Sequence, residues 1–200
     1  MLQIVLTLLF CLIAQAIPAH PYLTEFLADP ASDWDGNGEV ETTGDEWIEV
    51  CNPLETSLDL SGYFLKDALG DGVHMELSGL LAPGQCAVFY GSDAISWQQA
   101  NGVTANALSL NNSGDTIMLL YAEEVIDLVT YITHVGEDDR SMAFYLPEGE
   151  WVLCDGLNLY GGSLEPVSTG CEPTPGEQNS CDGLVPNEQA SFGHVKHLYR

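Results

Sequence analysis

Basic residues are scarce in this sequence. Its 200 residues include only 4 Lys and Arg against 30 Asp and Glu, which gives a formal net charge of −26 at pH 7. Such a surface repels nucleic-acid phosphates and anionic lipid headgroups, so the charge balance excludes nucleic acid and membrane surfaces as partners. The same surface attracts cations, and it is also what a protein adapted to a salty habitat would carry as a solvated exterior.

The few basic residues mark a boundary along the chain. Lys196 and Arg200 lie in the last five positions, and from Asp182 onward two acids balance these two bases. The whole net charge of −26 therefore belongs to the residues before 182. Because 46% of the residues are hydrophobic and Gly is frequent, we expect a globular, turn-rich body at residues 20–181 and a flexible tail at residues 182–200.

A long apolar run occurs at the N-terminus. It extends from about Leu2 to Ala14, and Ala14-Gln15-Ala16 has the small-residue pattern of a secretory cleavage site. No Lys or Arg precedes the run, and the run is too short for a transmembrane helix. We expect residues 1–19 to be a signal peptide and the mature protein to be secreted (extracellular, at the cell surface or periplasmic) without a membrane anchor. An uncleaved anchor is the alternative.

Cysteines at metal-binding spacing are absent, because no Cys-X-X-Cys pair occurs, and this argues against a zinc site built on cysteine. Once Cys11 leaves with the signal peptide, five cysteines remain. In an oxidising compartment we expect two disulfides and one unpaired cysteine. The five are Cys51, Cys86, Cys154, Cys171 and Cys181.

Position along the chain favours two pairings. Cys154 and Cys171 bracket the loop before a Pro- and Gly-rich segment, so we expect a bridge between them. Cys51 and Cys86 lie in predicted strands that could be neighbours, which favours a second bridge. Cys181 would then be free or would form an intermolecular disulfide. Other pairings of the five cysteines stay open.

Strand signals dominate the body of the sequence. Short runs rich in Val, Ile, Leu and aromatic residues alternate with Gly, Asn, Asp and Pro turns. The one predicted helix is short and lies near residues 93–99. Short strands without alternating helices imply an all-β fold, an antiparallel β-sandwich. The predicted strands lie near residues 22–28, 46–52, 58–66, 73–77, 85–90, 116–121, 125–131 and 141–146.

Residues 171–181, CEPTPGEQNSC, are incompatible with a strand, because Pro173 and Pro175 cannot donate ladder hydrogen bonds. We expect this segment to lie over the body, held there by a disulfide.

A series of ordered motifs extends between about residues 22 and 180. The motifs are LTEFLA at 23–28, DEWIEVCNP at 45–53, LDLSGYFL at 58–65, LLAPGQ at 80–85, LNNSGDTIML at 110–119 and PTPGEQN at 173–179. In this order they resemble the lamin tail domain family. Thr24 stands where the family usually has Asn, and Cys51 stands at a position that is often aromatic.

This resemblance implies an immunoglobulin-like β-sandwich, in agreement with the strand pattern. With a signal peptide and no coiled-coil rod, the chain looks like the exported bacterial branch of the family. Members of that branch are usually accessory or adhesion modules, often beside hydrolases and nucleases. The family has no catalytic residues that could be transferred to this chain, so the resemblance implies that the protein is not an enzyme.

Residues 45–53 are predicted to form a structural strand and not a catalytic site. Side chains alternate along a strand, so Ile48 and Val50 share one face and Trp47, Glu49 and Cys51 share the other. A nucleophilic cysteine needs a nearby base, and no His of the sequence is placed to serve. We therefore expect Cys51 to be half of a disulfide and Glu49 to face solvent or cap a turn.

The loop 33–41, DWDGNGEVE, resembles the opening half of an EF-hand calcium loop. Oxygen side chains recur at alternate positions, and Gly38 falls where the sharp turn needs glycine. Gly44 occupies the twelfth position, where Glu is usual, so Asp45 or Glu46 would have to substitute. The alternative is an acidic loop without metal. The predicted ligands are Asp33, Asp35, Asn37, Glu39 and Glu41.

Together these observations predict a secreted, non-enzymatic interaction or adhesion module with a protein or glycan ligand. A calcium-dependent carbohydrate-binding module is one alternative, based on the 33–41 loop and on Trp34 and Trp97 as exposed aromatic candidates. An accessory domain of an extracellular hydrolase is another. The acidic run 137–139 is predicted to be a solvated turn.

Overall fold

The computed structural model describes residues 20–68, 72–145 and 149–181. The predicted signal peptide and the predicted tail lie outside these residues. Short β-branched and aromatic runs between turn residues form strands, as the sequence pattern indicates. In chain order the elements are β1 (Tyr22–Leu27), β2 (Trp47–Cys51), β3 (Leu58–Asp59), β4 (Tyr63–Lys66), β5 (Met75–Glu76), β6 (Leu80–Leu81), β7 (Cys86–Tyr90), α1 (Gly91–Ala100), β8 (Thr116–Tyr121), β9 (Glu124–Thr130), β10 (Ser141–Tyr145) and β11 (Glu150–Cys154).

Two antiparallel sheets make up a sandwich. The first has the strand order β11-β10-β1-β2-β7, and the second has the order β5-β4-β8-β9. Strands β3 and β6 form a two-stranded ribbon. The predicted all-β, immunoglobulin-like antiparallel β-sandwich is confirmed.

The core lies between the two sheets, where side chains from alternate positions of each strand meet. Phe26, Ile48 and Val50 of the first sheet are almost fully buried, as are Leu65 and Leu119 of the second. Burying a side chain of this size stabilises a protein by roughly 1.5–3 kcal/mol. The inner faces therefore hold the two sheets together, and the outer faces are available for other contacts.

Every predicted strand region contains a strand, with differences that have physical causes. The predicted strand 58–66 is interrupted at Ser61-Gly62, where Gly62 adopts φ +84°, so that β3 and β4 form separately. Strands β6 and β11 were not predicted. β11 pairs with β10 at the edge of the first sheet, next to a Gly- and Pro-rich region whose composition hides the strand signal.

The hairpin between β8 and β9 has a two-residue turn, Ala122-Glu123, with both residues at positive φ. This is the turn geometry that matches strand twist, although Asn-Gly is the usual sequence for it.

Helix α1 covers one end of the sandwich. Gly91 is required at its start, because a Cβ there would lie 1.7 Å from the carbonyl oxygen of Thr43. The buried Gln98 side chain donates hydrogen bonds to the carbonyls of His74 and Ala107 and so fixes the loop that follows the helix. No helix within the described residues has the length and apolar character needed to cross a bilayer.

Candidate functional site: a clasped sheet face and an acidic loop

The outer face of the first sheet is covered by residues 171–181, hereafter the closing segment. As predicted, Trp47, Glu49 and Cys51 share this outer face, while Ile48 and Val50 belong to the core. The expectation that Glu49 faces solvent or caps a turn is wrong, since its side chain is completely buried. The reason is that the closing segment packs over it.

Glu49 binds the closing segment by its carboxylate. The backbone N–H of Gly176 donates to Glu49 Oε2 at 2.7 Å, and the hydroxyl of Thr24 donates to Glu49 Oε1 at 2.5 Å. Both carboxylate oxygens are therefore satisfied by groups of this chain. Glu49 acts as an anchor for an irregular segment, which has no ladder to satisfy its N–H groups.

Glu25 also binds the closing segment by its carboxylate. It lies on the neighbouring strand β1, directly opposite Glu49 in the register of β1 and β2. Its carboxylate accepts hydrogen bonds from the N–H and the hydroxyl of Thr174, and from the hydroxyl of Ser141 at 2.5 Å. Asn179 completes the attachment by donating to the carbonyls of Thr24 and Phe144. The expectation that the closing segment lies over the body is confirmed, and the bonds that hold it are polar.

Burial of these carboxyl groups changes their acidity. Burial raises the pKa of Glu25 to about 7, although hydrogen bonds from Ser141 and Thr174 oppose the effect. Burial likewise raises the pKa of Glu49 to about 7 against the hydrogen bonds from Thr24 and Gly176. The negative charge of Glu49 also raises the pKa of Glu25. The two groups are therefore neutral at mildly acidic pH and become charged near neutrality.

Two disulfides occur within the described residues. Cys51 on β2 is bonded to Cys86 on β7, as the sequence analysis expects, because these residues face each other in the register of the sheet. The predicted bridge between Cys154 and Cys171 is wrong. Cys171 is bonded to Cys181, and Cys154 is a free, buried thiol.

The physical reason lies in the course of the closing segment. Thr174 and Gly176 contact neighbouring strands, and the segment then returns far enough for Cys181 to reach Cys171 across ten positions. The bridge therefore closes the segment on itself instead of tying it to β11. The expectation that Cys181 is unpaired is wrong for the same reason.

In the acidic loop, only some of the predicted calcium ligands have carboxylate oxygens close to one another. Carboxylate oxygens of Asp33, Asp35 and Asp45 lie within 4.8 Å of one another. Glu39 and Glu41 lie outside this group. Asp45, which the sequence analysis names only as a substitute, takes the central place.

Hydrogen bonds within the loop explain this arrangement. The buried Asp45 carboxylate accepts from the backbone N–H groups of Trp34, Asp35 and Glu41 and draws the loop around itself. Asn37 donates to Asp35, and its own side-chain oxygen accepts from the N–H of Glu39. The donor set, which is all oxygen and largely carboxylate, suits a hard cation such as calcium.

Asp139 anchors the loop from outside. It accepts hydrogen bonds from the N–H of Ala31, the hydroxyl of Ser32 and the indole N–H of Trp34. The interpretation of residues 137–139 as a simple solvated turn is therefore wrong at Asp139. Trp34 and Trp97 are each half-buried, since Trp34 packs on Trp47 and Trp97 packs against the core, so neither is a freely exposed aromatic.

A polar pocket of about 370 Å³ lies beside this loop. Its buried acid, Glu46, accepts a hydrogen bond from the N–H of Leu110, while burial raises its pKa to about 8. Apart from Leu110, the rest of the lining is polar and consists of Asp29, Thr42, Thr43, Asn106, Ser109, Asn111 and Asn112. Hydroxyl, amide and carboxyl groups in this number suit a polyhydroxylated ligand.

Sequence reasoning missed the roles of Glu25, Glu46 and Asp139. One signal was available for Glu25, because it and Glu49 lie in the middle of predicted strands, whereas strand interiors are usually depleted of Glu. Two such acids in adjacent strands of a sandwich need donors from a third element. No comparable signal existed for Asp139, whose partners are more than 100 residues away.

We expect stability to fall as the pH rises from about 5 to about 8. Glu25, Glu46 and Glu49 have raised pKa values in the folded protein, so the folded state holds more protons than the unfolded state across this range. Stability is therefore greatest when these groups are protonated and declines as the pH passes through their folded pKa values. The expected loss in the free energy of unfolding is on the order of 1–3 kcal/mol, measured by denaturant titration at each pH.

A variant and a matched control separate these groups from the general acidity of the surface. Glu25→Gln should flatten the pH slope, whereas Glu39→Gln, at an exposed position, should leave it as in the wild type. A slope that is equally steep in both variants would contradict the assignment to the buried carboxyl groups. Below about pH 4 the trend should reverse, because the pKa of Asp155 is held below its usual value. Burial alone would raise this pKa, but the hydrogen bond from the Ser168 side chain and those from the N–H groups of Tyr160, Gly170 and Thr169 outweigh it.

A known protein family matches most of the strands described above. The sequence model of the family described as Lamin Tail Domain matches residues 17–133, more than half of the chain. The matched region includes β1 to β9, and strands β10 and β11 with the closing segment lie beyond it. Neither the curated proteins nor the solved structures provide a match. With an immunoglobulin-like sandwich and this match over more than half of its length, the chain belongs to the lamin tail domain family.

Proposed function

We propose that this protein is a secreted, non-enzymatic interaction module that binds a protein partner through the outer face of its second sheet. The observation that carries the proposal is the contrast between the two outer faces. The closing segment covers the outer face of the first sheet, whereas apolar residues of the second sheet remain exposed on the described part of the chain. Val125 and Leu128, which lie opposite the outward-facing Leu120 and Met118, are each about half exposed, at 47% and 54%.

These residues belong to a continuous surface. Phe64, Leu120 and Val125 lie side by side in one row across β4, β8 and β9. Next to this row, a groove of about 740 Å³ is lined by Phe64, Val73, Leu120 and Tyr121. An apolar surface of this kind, outside the core, is typical of sites for protein partners.

The charge around this surface indicates what the partner carries. Glu123 and Glu124 lie at the end of the hairpin, and the residues before 182 contain almost all the acids of the chain. Lys66, which also lines the groove, forms no salt bridge within the described residues. A partner with apolar side chains at the centre, basic residues opposite Glu123 and Glu124, and an acidic residue opposite Lys66 would complement both features.

Several features support a non-enzymatic role and secretion. The buried carboxylates of Glu25 and Glu49 are occupied by hydrogen bonds within the chain. The free thiol of Cys154 is buried, and burial raises its pKa to about 12, so it presents no thiolate to an external substrate at neutral pH. Two disulfides and the predicted signal peptide at residues 1–19 support an extracellular site of action, as in the exported bacterial branch that the motifs resemble.

The test is binding of the mature protein to an array of purified extracellular proteins and glycans. We expect binding to one or more proteins, weakened more than about tenfold in Leu128→Asp because a charge replaces apolar contact area. The matched control is Val103→Asp, which places the same charge at an exposed apolar position outside this face. Binding that survives Leu128→Asp, or the absence of binding to any protein on the array, would overturn the proposal.

Calcium-dependent carbohydrate binding is a second candidate. Two observations favour it: the carboxylate group of Asp33, Asp35 and Asp45, and the polar pocket lined by Thr42, Thr43 and Glu46, which are close to Asp45 in the sequence. In this case calcium would hold the loop in place, and the pocket would bind hydroxyl groups of a sugar.

Calorimetric titration of the metal-free protein with calcium tests this candidate. Saturable heat and a raised melting temperature, both lost in Asp33→Ala/Asp35→Ala, would support a calcium site. The control Asp138→Ala/Glu137→Ala removes two acids outside the group and should not change the titration. Heat that remains equal in both double variants would reflect screening of the acidic surface and would retire the site.

A further inference from the structure

The free thiol Cys154 is packed beside the disulfide of the closing segment. Cys154 and Cys171 belong to one small buried cluster with Ala143 and Tyr145, and Cys181 packs against that cluster. Three of the five cysteines after the predicted signal peptide therefore meet at one place, one as a thiol and two as a disulfide.

Backbone contacts hold Cys171 next to the end of β11. The N–H of Gly156 donates to the carbonyl of Cys171 at 2.6 Å, and residues Leu153 and Ser168 form a parallel bridge. Gly156 permits this approach, since a Cβ there would lie 2.9 Å from the Cys171 carbonyl oxygen. Cys171 is 3% exposed and Cys154 is fully buried, and both belong to the same buried cluster.

We propose that Cys154 exchanges with this disulfide and thereby exposes Cys181 as a thiol for covalent attachment to a partner. In this step the Cys154 sulfur attacks Cys171 Sγ, the Cys154–Cys171 bond forms, and the Cys171–Cys181 bond breaks. Cys181 leaves as a thiolate and takes a proton from water. One disulfide replaces another, so no oxidant or reductant is required.

The side chains around Cys154 provide a path for its proton. The hydroxyl of Ser141 is hydrogen-bonded to the thiol and donates to Glu25 Oε1 at 2.5 Å. A proton from Cys154 can therefore pass to Ser141 while the proton of Ser141 passes to Glu25. The Glu25 carboxylate also accepts a hydrogen bond from the hydroxyl of Thr174 in the closing segment. The closing segment therefore contacts the group that receives the proton of Cys154.

The Cys154 sulfur is expected to attack Cys171 and not Cys181, because the two disulfide cysteines differ in solvent exposure. Cys171 is buried in the cluster with Cys154, whereas Cys181 is partly exposed at the end of the closing segment. The sulfur that leaves is therefore the one that solvent and a partner can reach. A partner with a disulfide would then be bound by a second exchange of the same kind, again without an oxidant.

Exchange is expected to be slow while the segment is closed. Burial raises the pKa of Cys154 to about 12, and the charges of Glu25 and Asp155 raise it further, whereas the hydrogen bond with Ser141 opposes this increase. The phenol of Tyr145, whose pKa is also raised by burial, faces the same site and supplies no positive charge. Since the thiolate is the attacking species, the rate should rise as the pH increases through the range 7 to 9.

The experiment traps free thiols of the mature protein with N-ethylmaleimide at pH 8, without reductant, and maps modified residues and disulfides by mass spectrometry over time. We expect Cys181 to become modified while a Cys154–Cys171 bridge accumulates, at a rate independent of protein concentration. In Cys154→Ala, Cys181 should remain unmodified and bonded to Cys171, with the reduction of modification at least tenfold.

Two other outcomes would overturn the proposal. Modification of Cys154 with an intact Cys171–Cys181 bridge would show a buried thiol that is merely exposed by opening of the closing segment. Absence of any modification over several days at pH 8 and pH 9 would show that the three sulfur atoms do not exchange. Because the mapping is made on the wild-type protein, the result does not depend on whether the alanine variant folds.

Discussion

Two buried carboxylates on neighbouring strands determine how one side of this sandwich is built. Glu25 and Glu49 lie opposite each other in β1 and β2, on the face that points away from the core. An isolated carboxylate removed from water is costly unless hydrogen-bond donors surround it. The closing segment supplies those donors through Thr174 and Gly176, so the segment and the two acids depend on each other.

Several other features follow from this arrangement. A segment with Pro173 and Pro175 cannot join the sheet as a strand, and carboxylates are acceptors that need no strand partner. The disulfide between Cys171 and Cys181 holds the two ends of the segment together, so that its donors remain in place. The segment in turn buries the Cys154 thiol beside that disulfide. The segment covers the outer face of the first sheet, whereas Val125 and Leu128 on the second sheet remain exposed.

Much of the fold was predictable because its signals are local. Alternating apolar residues and turn residues predicted the strands, and the order of the motifs predicted the family. Strand geometry alone predicted that Ile48 and Val50 lie on the same face. The errors concern long-range packing. Glu49 was expected near solvent because the sequence does not show which segment covers a given face, and Cys171 was assigned to Cys154 because chain order does not show that the segment turns back. In the acidic loop, alternation predicted Asp33 and Asp35, whereas Asp45 joins them through hydrogen bonds across about ten residues.

Hydrogen exchange at the backbone amides of Thr174 and Gly176 tests the role of the two carboxylates most directly. If Glu25 and Glu49 hold the closing segment, these two amides should be protected to nearly the same degree as the amides of Ile48 and Val50 in β2, since each donates to a buried acceptor. The protection of the Thr174 amide should decrease selectively in Glu25→Leu, which removes both acceptor oxygens. Exchange of both amides at the rate of an unstructured peptide in the wild-type protein would contradict the account.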